Sequence, residues 1–151
     1  RKFLVDPGFV KRLEGGIHIS QGYVKTSDKT VVRARVKGSR AFLTLKGEVN
    51  NMTCSEFEYE IPVQDAKAII EELCSGSTVD KTRYEINHGV HLWEVDIFHG
   101  ENIGLVVAEV ELSSETDLVE MPVWAIEEVT GQIKYFNSSL LTAPFSGWQD
   151  E

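Results

Sequence analysis

Apolar and polar residues alternate along most of the chain. Short segments rich in β-branched and aromatic residues follow this alternation, and turn residues such as Lys37-Gly38-Ser39 and Asn87-His88-Gly89 separate them. This pattern is typical of β-strands. The predicted strands are Arg1–Val5, His18–Lys25, Thr30–Val36, Ala41–Lys46, Ser55–Ile61, Val79–Ile86, Leu92–Phe98 and Leu105–Leu112. About eight strands at short spacings predict an antiparallel barrel or sandwich.

Helical patterns are few and short. Pro62–Ser75 combines spaced apolar residues with a proline near its start, which predicts a helix. Ser113–Glu120 begins with serine and early acidic residues, which indicates a second helix, and Tyr135–Leu141 is expected to form a terminal helical turn. Because no linker or repeat interrupts the chain, we expect a single mainly β (α+β) domain over residues 1–151. The helices should pack outside the sheet, and the tail from about residue 143 is expected to be loose.

Charge and cysteine content narrow the function classes. The 151 residues include 24 acidic and 15 basic side chains, which gives a formal net charge of −9. This balance counts against binding to a nucleic-acid polymer or an anionic membrane, although it permits a local basic pocket. The two cysteines, Cys54 and Cys74, are too few for a disulfide framework, so reduced thiols and a cytoplasmic location are expected.

The charged residues of the predicted strands are grouped by sign. Residues i and i+2 of a strand share a face, so these groups share faces: Arg33 with Arg35, Lys81 with Arg83 and Glu85, Glu56 with Glu58 and Glu60, Glu94 with Asp96, and Glu109 with Glu111. One interpretation is a solvated outer face of an antiparallel sheet. The alternative is that these faces line the lumen of a closed barrel. Grouping by sign counts against the first interpretation, since a solvated surface usually mixes signs, and the residues alone leave both interpretations open.

A lumen of this composition has a predictable chemistry. Guanidinium and ammonium groups match phosphate oxygens. Carboxylates without histidine or cysteine neighbours favour hard divalent cations, here Mg²⁺ or Mn²⁺. Together these groups predict a metal–polyphosphate site.

The ordered motifs resemble those of the CYTH-domain family, the triphosphate tunnel metalloenzymes, from Arg1 to about Leu141. The matching motifs are Arg1-Lys-Phe-Leu-Val5, Gln21-Gly-Tyr23, Arg33-Ala-Arg35, Leu43-Thr-Leu-Lys46, Glu58-Tyr-Glu60, Lys81-Thr-Arg-Tyr84, Glu94-Val-Asp-Ile-Phe98, Ala108-Glu-Val-Glu111 and Glu127-Glu-Val-Thr130. The resemblance implies an eight-stranded antiparallel tunnel that binds a triphosphate with a divalent metal. The opening motif is closer to the bacterial tripolyphosphatase branch than to class IV adenylate cyclases, and thiamine triphosphatases are also related.

The resemblance also implies roles for individual residues. Lys2, Arg33, Arg35, Lys46, Lys81, Arg83 and Lys134 would bind phosphate oxygens, and Asp96, Glu109 and Glu111 would hold Mg²⁺ or Mn²⁺. Lys81 and Arg83, with Glu58 and Glu60 as supporting acids, are the expected catalytic residues.

Three departures from the family pattern bear on activity. The opening Glu-x-Glu of the family would precede Arg1, and without those acids metal affinity would fall. Glu56 stands where relatives often have arginine, which removes a positive charge from the phosphate path. Phe136 and Ser138 replace residues that are commonly polar or basic, which is consistent with altered substrate preference or reduced activity.

Three functions are therefore considered. The leading hypothesis is metal-dependent hydrolysis of inorganic triphosphate or a related small-molecule triphosphate. A cyclase that makes cyclic AMP from ATP would use the same fold, and a polyphosphate-binding module without catalysis would use the same cations. The sequence leaves a homodimer open.

Overall fold

The computed structural model of the protein describes residues 1–50, 53–74, 78–114 and 116–148. The strands are β1 (Lys2–Val5), β2 (Ile17–Val24), β3 (Val31–Lys37), β4 (Arg40–Asn50), β5 (Thr53–Ile61), β6 (Val79–His88), β7 (His91–Phe98), β8 (Val106–Val110) and β9 (Ala125–Glu128). The α-helices are α1 (Pro7–Val10), α2 (Val63–Leu73) and α3 (Asn137–Thr142), and 3-10 helices span Gly100–Asn102, Ile133–Tyr135 and Phe145–Gly147. The prediction of a mainly antiparallel β fold with a few short helices is confirmed.

The structure differs from the predicted elements in three places. The short strand β9 and the single-turn helix α1 were not predicted. The helix predicted over Ser113–Glu120 is wrong for the described part of that segment, which forms bends and turns. The Asp117 carboxylate accepts hydrogen bonds from the backbone N–H groups of Ser113, at 2.9 Å, and Ser114, at 3.3 Å. These bonds offer the backbone a turn in place of a helix.

Residues 18–80 form one compact unit. Its strands are antiparallel and lie in the order β5-β4-β3-β2. Helix α2 packs against β3 and β4 on one face. A Cβ at Gly22 of β2 would lie 3.0 Å from the Cys74 Cβ at the end of α2, so glycine permits this close approach. The free thiol of Cys74 is buried at this contact.

Residues 1–17 and 81–151 form the other compact unit. Its antiparallel strands have the order β6-β7-β8-β1-β9. Trp93 is fully buried between Phe3 and Trp124, with 5.4 Å between ring centroids in both pairs. This aromatic core covers one face of the strands and leaves the other face for polar side chains. Neither set of strands closes on itself by hydrogen bonds among the described residues.

At the C-terminal end, the Trp148 ring packs edge-on against Tyr135, at 5.3 Å, and against Phe145, at 5.1 Å. Of the tail expected to be loose, residues 149–151 lie outside the described residues. No helix in the described ranges has both the length and the apolar character needed to cross a membrane.

We predict that W93A lowers the free energy of unfolding by about 3–5 kcal/mol, because truncating a buried aromatic side chain leaves a cavity. Urea denaturation monitored by circular dichroism measures the change. Val90, which is 95% exposed in the turn before β7, supplies the control variant V90A. Equal stabilities of the two variants would contradict this account of the core.

Candidate active site

The unit of residues 18–80 carries a polar network on the face opposite α2, called here the arginine cluster. It consists of Gln21, Tyr23, Arg33, Arg35, Thr44 and Glu58. Strand register places Arg33 directly opposite Tyr23 on β2 and Thr44 on β4. Arg33 Nη2 donates to Thr44 Oγ1 at 3.2 Å, and this hydroxyl donates to Glu58 Oε2 at 2.9 Å. One strand-to-strand row of side chains therefore positions the guanidinium.

Arg33 has an unsatisfied donor. Its side chain is only 16% exposed, and its Nε is buried without a hydrogen-bond partner among the described residues. Its ion pair with Glu58 is long, at 3.6 Å. Since buried guanidinium N–H groups are normally hydrogen-bonded, this donor is suited to an anionic ligand.

A second row joins Arg35 to Tyr23 through Gln21. Arg35 Nε donates to Gln21 Oε1 at 2.7 Å, and Gln21 Nε2 donates to the Tyr23 hydroxyl oxygen at 2.9 Å. Burial raises the pKa of Tyr23 above its ordinary value, and the positive charges of Arg33 and Arg35 oppose this only in part. The phenol is therefore protonated near neutral pH and can donate a hydrogen bond.

Other charged residues of this unit form more exposed pairs. Arg40 donates to both carboxylate oxygens of Glu60, at 2.6 and 3.1 Å, and these bonds lower the pKa of Glu60. Lys46 and Glu56 approach to 3.8 Å. Glu56, one of the three departures from the family pattern, thus lies beside Lys46, a predicted phosphate-binding residue.

The other unit carries the Lys81 cluster, made of Lys81, Arg83, Glu94 and Asp96 on the polar face of β6 and β7. Asp96 lies opposite Arg83, which donates to its two oxygens at 2.8 and 2.9 Å. Lys81 Nζ lies 2.8 Å from Asp96 Oδ2 and is fully buried. Arg83 also pairs with Glu94 at 3.0 Å. Two neighbouring cations on one strand are thus held by acids on the next.

These contacts determine the charge state of the cluster. Burial alone would raise the pKa of Asp96, but Lys81 and Arg83 lower it to about 2. Burial would likewise lower the pKa of Arg83, but Asp96, Glu94 and Glu109 raise it instead. The carboxylate and the guanidinium are therefore both ionised over the physiological pH range.

The C-terminal segment contacts three predicted phosphate-binding lysines. Lys2 Nζ donates to the Tyr135 carbonyl at 3.3 Å and lies 5.3 Å from the Phe136 ring centroid. Lys81 Nζ donates to Asn137 Oδ1 at 3.0 Å. Lys134 lies over the Trp148 ring, 4.7 Å from its centroid.

The predicted metal ligands are not gathered into one group. Both oxygens of Asp96 accept hydrogen bonds from Arg83. Glu109 lies opposite Glu94 on neighbouring strands and is exposed, and Glu111 is exposed just after β8. Within the described ranges, no three histidine, cysteine or acidic side chains are arranged to hold a metal ion. The metal role of Asp96, Glu109 and Glu111 stays a prediction.

Four residues of these networks had not been assigned a role from the sequence: Gln21, Tyr23, Thr44 and Asn137. The alternation of Gln21-Gly22-Tyr23 and the place of Thr44 two residues before Lys46 could have placed the first three on the charged face. Asn137 gives no such signal, because its partner Lys81 is 56 positions away in the chain.

A family model, the CYTH domain, matches residues 1–142. The chain belongs to the CYTH-domain family. An inorganic triphosphatase of Acetivibrio thermocellus is 39% identical over 150 residues, which cover 99% of this CYTH protein and 96% of the relative. An inorganic triphosphatase of Nitrosomonas europaea is 34% identical over 148 residues, covering 93% of each chain. A crystal structure of the inorganic triphosphatase NE1496 superposes with a TM-score of 0.67 at 33% identity, covering 93% of this chain and 94% of that one.

Asp96 of this CYTH protein is expected to make its stability depend on pH. Its folded-state pKa of about 2 lies below the ordinary value of 3.8. The ionised carboxylate therefore stabilises the fold above about pH 4, and this contribution is lost as the pH falls toward about 2. We predict that D96N lowers the free energy of unfolding by about 2 kcal/mol at neutral pH. The deficit should shrink below about pH 4.

Urea denaturation at a series of pH values measures this deficit. Glu85 is exposed on β6 opposite Glu94, so E85Q is the control and should follow the wild type. A D96N deficit that is independent of pH would refute the ionic explanation.

Proposed function

We propose that this CYTH-domain protein hydrolyses inorganic triphosphate, using a divalent metal ion. The observation that carries the proposal is Arg33, a mostly buried guanidinium whose Nε has no hydrogen-bond partner in the part of the chain that the structure describes. A buried cation of this kind suits a polyanion, and the fork of a guanidinium matches phosphate oxygens. Similarity to inorganic triphosphatases over nearly the whole chain supports the same substrate class.

In the unit of residues 18–80, Arg33 and Arg35 bind phosphate oxygens. The Tyr23 phenol, protonated because of its burial, donates a further hydrogen bond. Glu58 and Glu60 act as supporting acids, because each accepts hydrogen bonds that orient its neighbours: Glu58 from Thr44, and Glu60 from Arg40. Lys46 contributes positive charge that Glu56 partly offsets.

In the other unit, Lys81 and Arg83 bind phosphoryl oxygens and stabilise the charge that develops during transfer to water. Asp96 keeps both cations in place from the neighbouring strand. Lys2 and Lys134, next to the C-terminal segment, add positive charge for the substrate. Phosphoryl transfer needs such positioning and electrostatic stabilisation more than covalent help from the protein.

The acids of this unit fit a hard divalent cation in donor type. Glu109 is exposed, lies opposite Glu94 and is near enough to Arg83 for its charge to raise the pKa of that guanidinium. Carboxylate oxygens are the ligands that Mg²⁺ and Mn²⁺ prefer. Glu109 and Glu111, with Asp96, would hold the ion, which when bound neutralises phosphate charge and lowers the pKa of bound water.

We predict that the protein releases phosphate from tripolyphosphate with Mg²⁺ or Mn²⁺, and that R33K lowers kcat/KM by about a hundred-fold. Lysine cannot supply the fixed fork of donors that guanidinium presents, and removing an electrostatic donor costs about 10²–10³ in rate. R12K is the matched control, because Arg12 is exposed in the turn after α1. Its kcat/KM should stay within about two-fold of the wild type.

The products separate this function from the other candidates. Cyclic AMP and diphosphate from ATP would identify a cyclase. Tripolyphosphate that raises the melting temperature without being cleaved would identify a binding module. Either result, in the absence of phosphate release from tripolyphosphate, would refute the proposed hydrolysis.

We also predict that E109Q raises the Mg²⁺ concentration for half-maximal activity by about ten-fold or more, because it removes a charged oxygen ligand. Titration of Mg²⁺ at saturating tripolyphosphate measures this concentration. E101Q changes an exposed acid in a 3-10 helix and serves as the control. An unchanged Mg²⁺ requirement in E109Q would remove Glu109 from the metal site.

A further inference from the structure

The amide of Asn137 contacts the ammonium of the fully buried Lys81 side chain. Asn137 Oδ1 accepts a hydrogen bond from Lys81 Nζ at 3.0 Å, and Lys81 is 0% exposed. The Asp96 carboxylate lies 2.8 Å from the same nitrogen. The two acceptors come from different elements, β7 and α3, so they restrain the ammonium from separate directions.

Asp96 alone would restrain the Lys81 ammonium less than Asp96 and Asn137 do together, because both carboxylate oxygens of Asp96 also accept hydrogen bonds from Arg83. A long lysine side chain has many rotamers, and ordering it is costly without specific acceptors. Asn137 supplies an acceptor that Arg83 does not share in the described contacts. The amide of Asn137 is neutral, so it adds no negative charge to that of Glu94 and Asp96 in the Lys81 cluster.

Asn137 is itself held between two buried anchors. Tyr135 is 8% exposed and Leu140 is 1% exposed, and they lie on either side of Asn137 at the start of α3. Nearby, the Tyr135 carbonyl accepts from Lys2 Nζ at 3.3 Å. The short segment 135–140 therefore presents acceptors from a firmly packed backbone to two lysines of this unit.

We propose that Asn137 is a positioning residue that orients the Lys81 ammonium for triphosphate, a role that rests on the proposed function. Its neutral amide oxygen fixes the direction of Nζ without cancelling the positive charge of Lys81. A residue of the same size without an acceptor would leave the ammonium misdirected. A carboxylate in the same place would keep the direction but repel a polyanion.

These alternatives define the variants N137L and N137D, compared by steady-state hydrolysis of tripolyphosphate with Mg²⁺. Because a hydrogen bond to a charged group is removed, N137L should lower kcat/KM by about ten- to a hundred-fold. N137D should recover most of kcat and raise KM. S138A is the control, since Ser138 is the exposed neighbour of Asn137, and its kinetics should match the wild type.

A merely structural role would give a different pattern. Both N137L and N137D would then lose kcat in step with a lower melting temperature, and that result would overturn the proposal. Wild-type kcat and KM in N137L would overturn it equally.

A second measurement does not depend on turnover. The rate at which an N-hydroxysuccinimide acetate reagent acetylates Lys81, relative to exposed Lys67, is followed by peptide mass spectrometry well below the melting temperature. We expect the relative rate to rise several-fold in N137L and to stay at the wild-type value in N137D and S138A. If the wild type fails to cleave tripolyphosphate while this pattern holds, the proposed function fails and the anchoring of Lys81 stands. An unchanged rate in N137L refutes the anchoring itself.

Discussion

The polar face of β6 and β7 depends on the ion pairs that the buried carboxylate of Asp96 forms with Lys81 and Arg83. Lys81 and Arg83 are two residues apart on one strand, so their side chains lie on the same face and their positive charges repel each other. Asp96 on the next strand bonds to both, which is why its pKa is far below the ordinary value despite burial. Removing one partner of such a group leaves an uncompensated buried charge, a strongly destabilising change. Asp96, with Glu94 beside Arg83 and Asn137 beside Lys81, therefore allows the fold to keep two adjacent cations away from water.

The two units hold their cationic side chains in place with different kinds of partner. The Lys81 cluster balances its cations with carboxylates, whereas the arginine cluster relies largely on neutral partners, Gln21, Tyr23 and Thr44. Neutral partners orient a guanidinium without cancelling its charge, and the described residues supply no acceptor to the Nε of Arg33. The arginine cluster therefore attracts an anion more strongly than a count of its acids and bases would indicate. A protein of net charge −9 thus contains a locally basic surface.

The strand period made much of this arrangement predictable. Because alternate residues of a strand share a face, the sequence was sufficient to place Arg33 and Arg35 on one face of their strand and Lys81 and Arg83 on one face of theirs. It also placed apolar residues on the other face of each strand. The helix expected at Ser113–Glu120 did not form because Asp117 bonds the local backbone, a competition that capping rules do not weigh. Asn137 could not be found either, since its contact with Lys81 joins elements far apart in the chain. The alternation of residues along a strand determines the face on which a side chain lies, but tertiary packing determines which distant residues it contacts.

The close approach of α2 to β2 has a consequence for chemical modification. The strand at Gly22 lies so close to the end of α2 that a Cβ at this position would be only 3.2 Å from the Cys74 sulfur. The space between the strand and the helix end is therefore too small for a reagent. Burial also raises the pKa of the Cys74 thiol, which suppresses the reactive thiolate. An alkylating reagent can therefore reach this sulfur only when the helix end lifts from the strand. The thiol is thus a native reporter of local opening in this part of the protein, and no label has to be introduced.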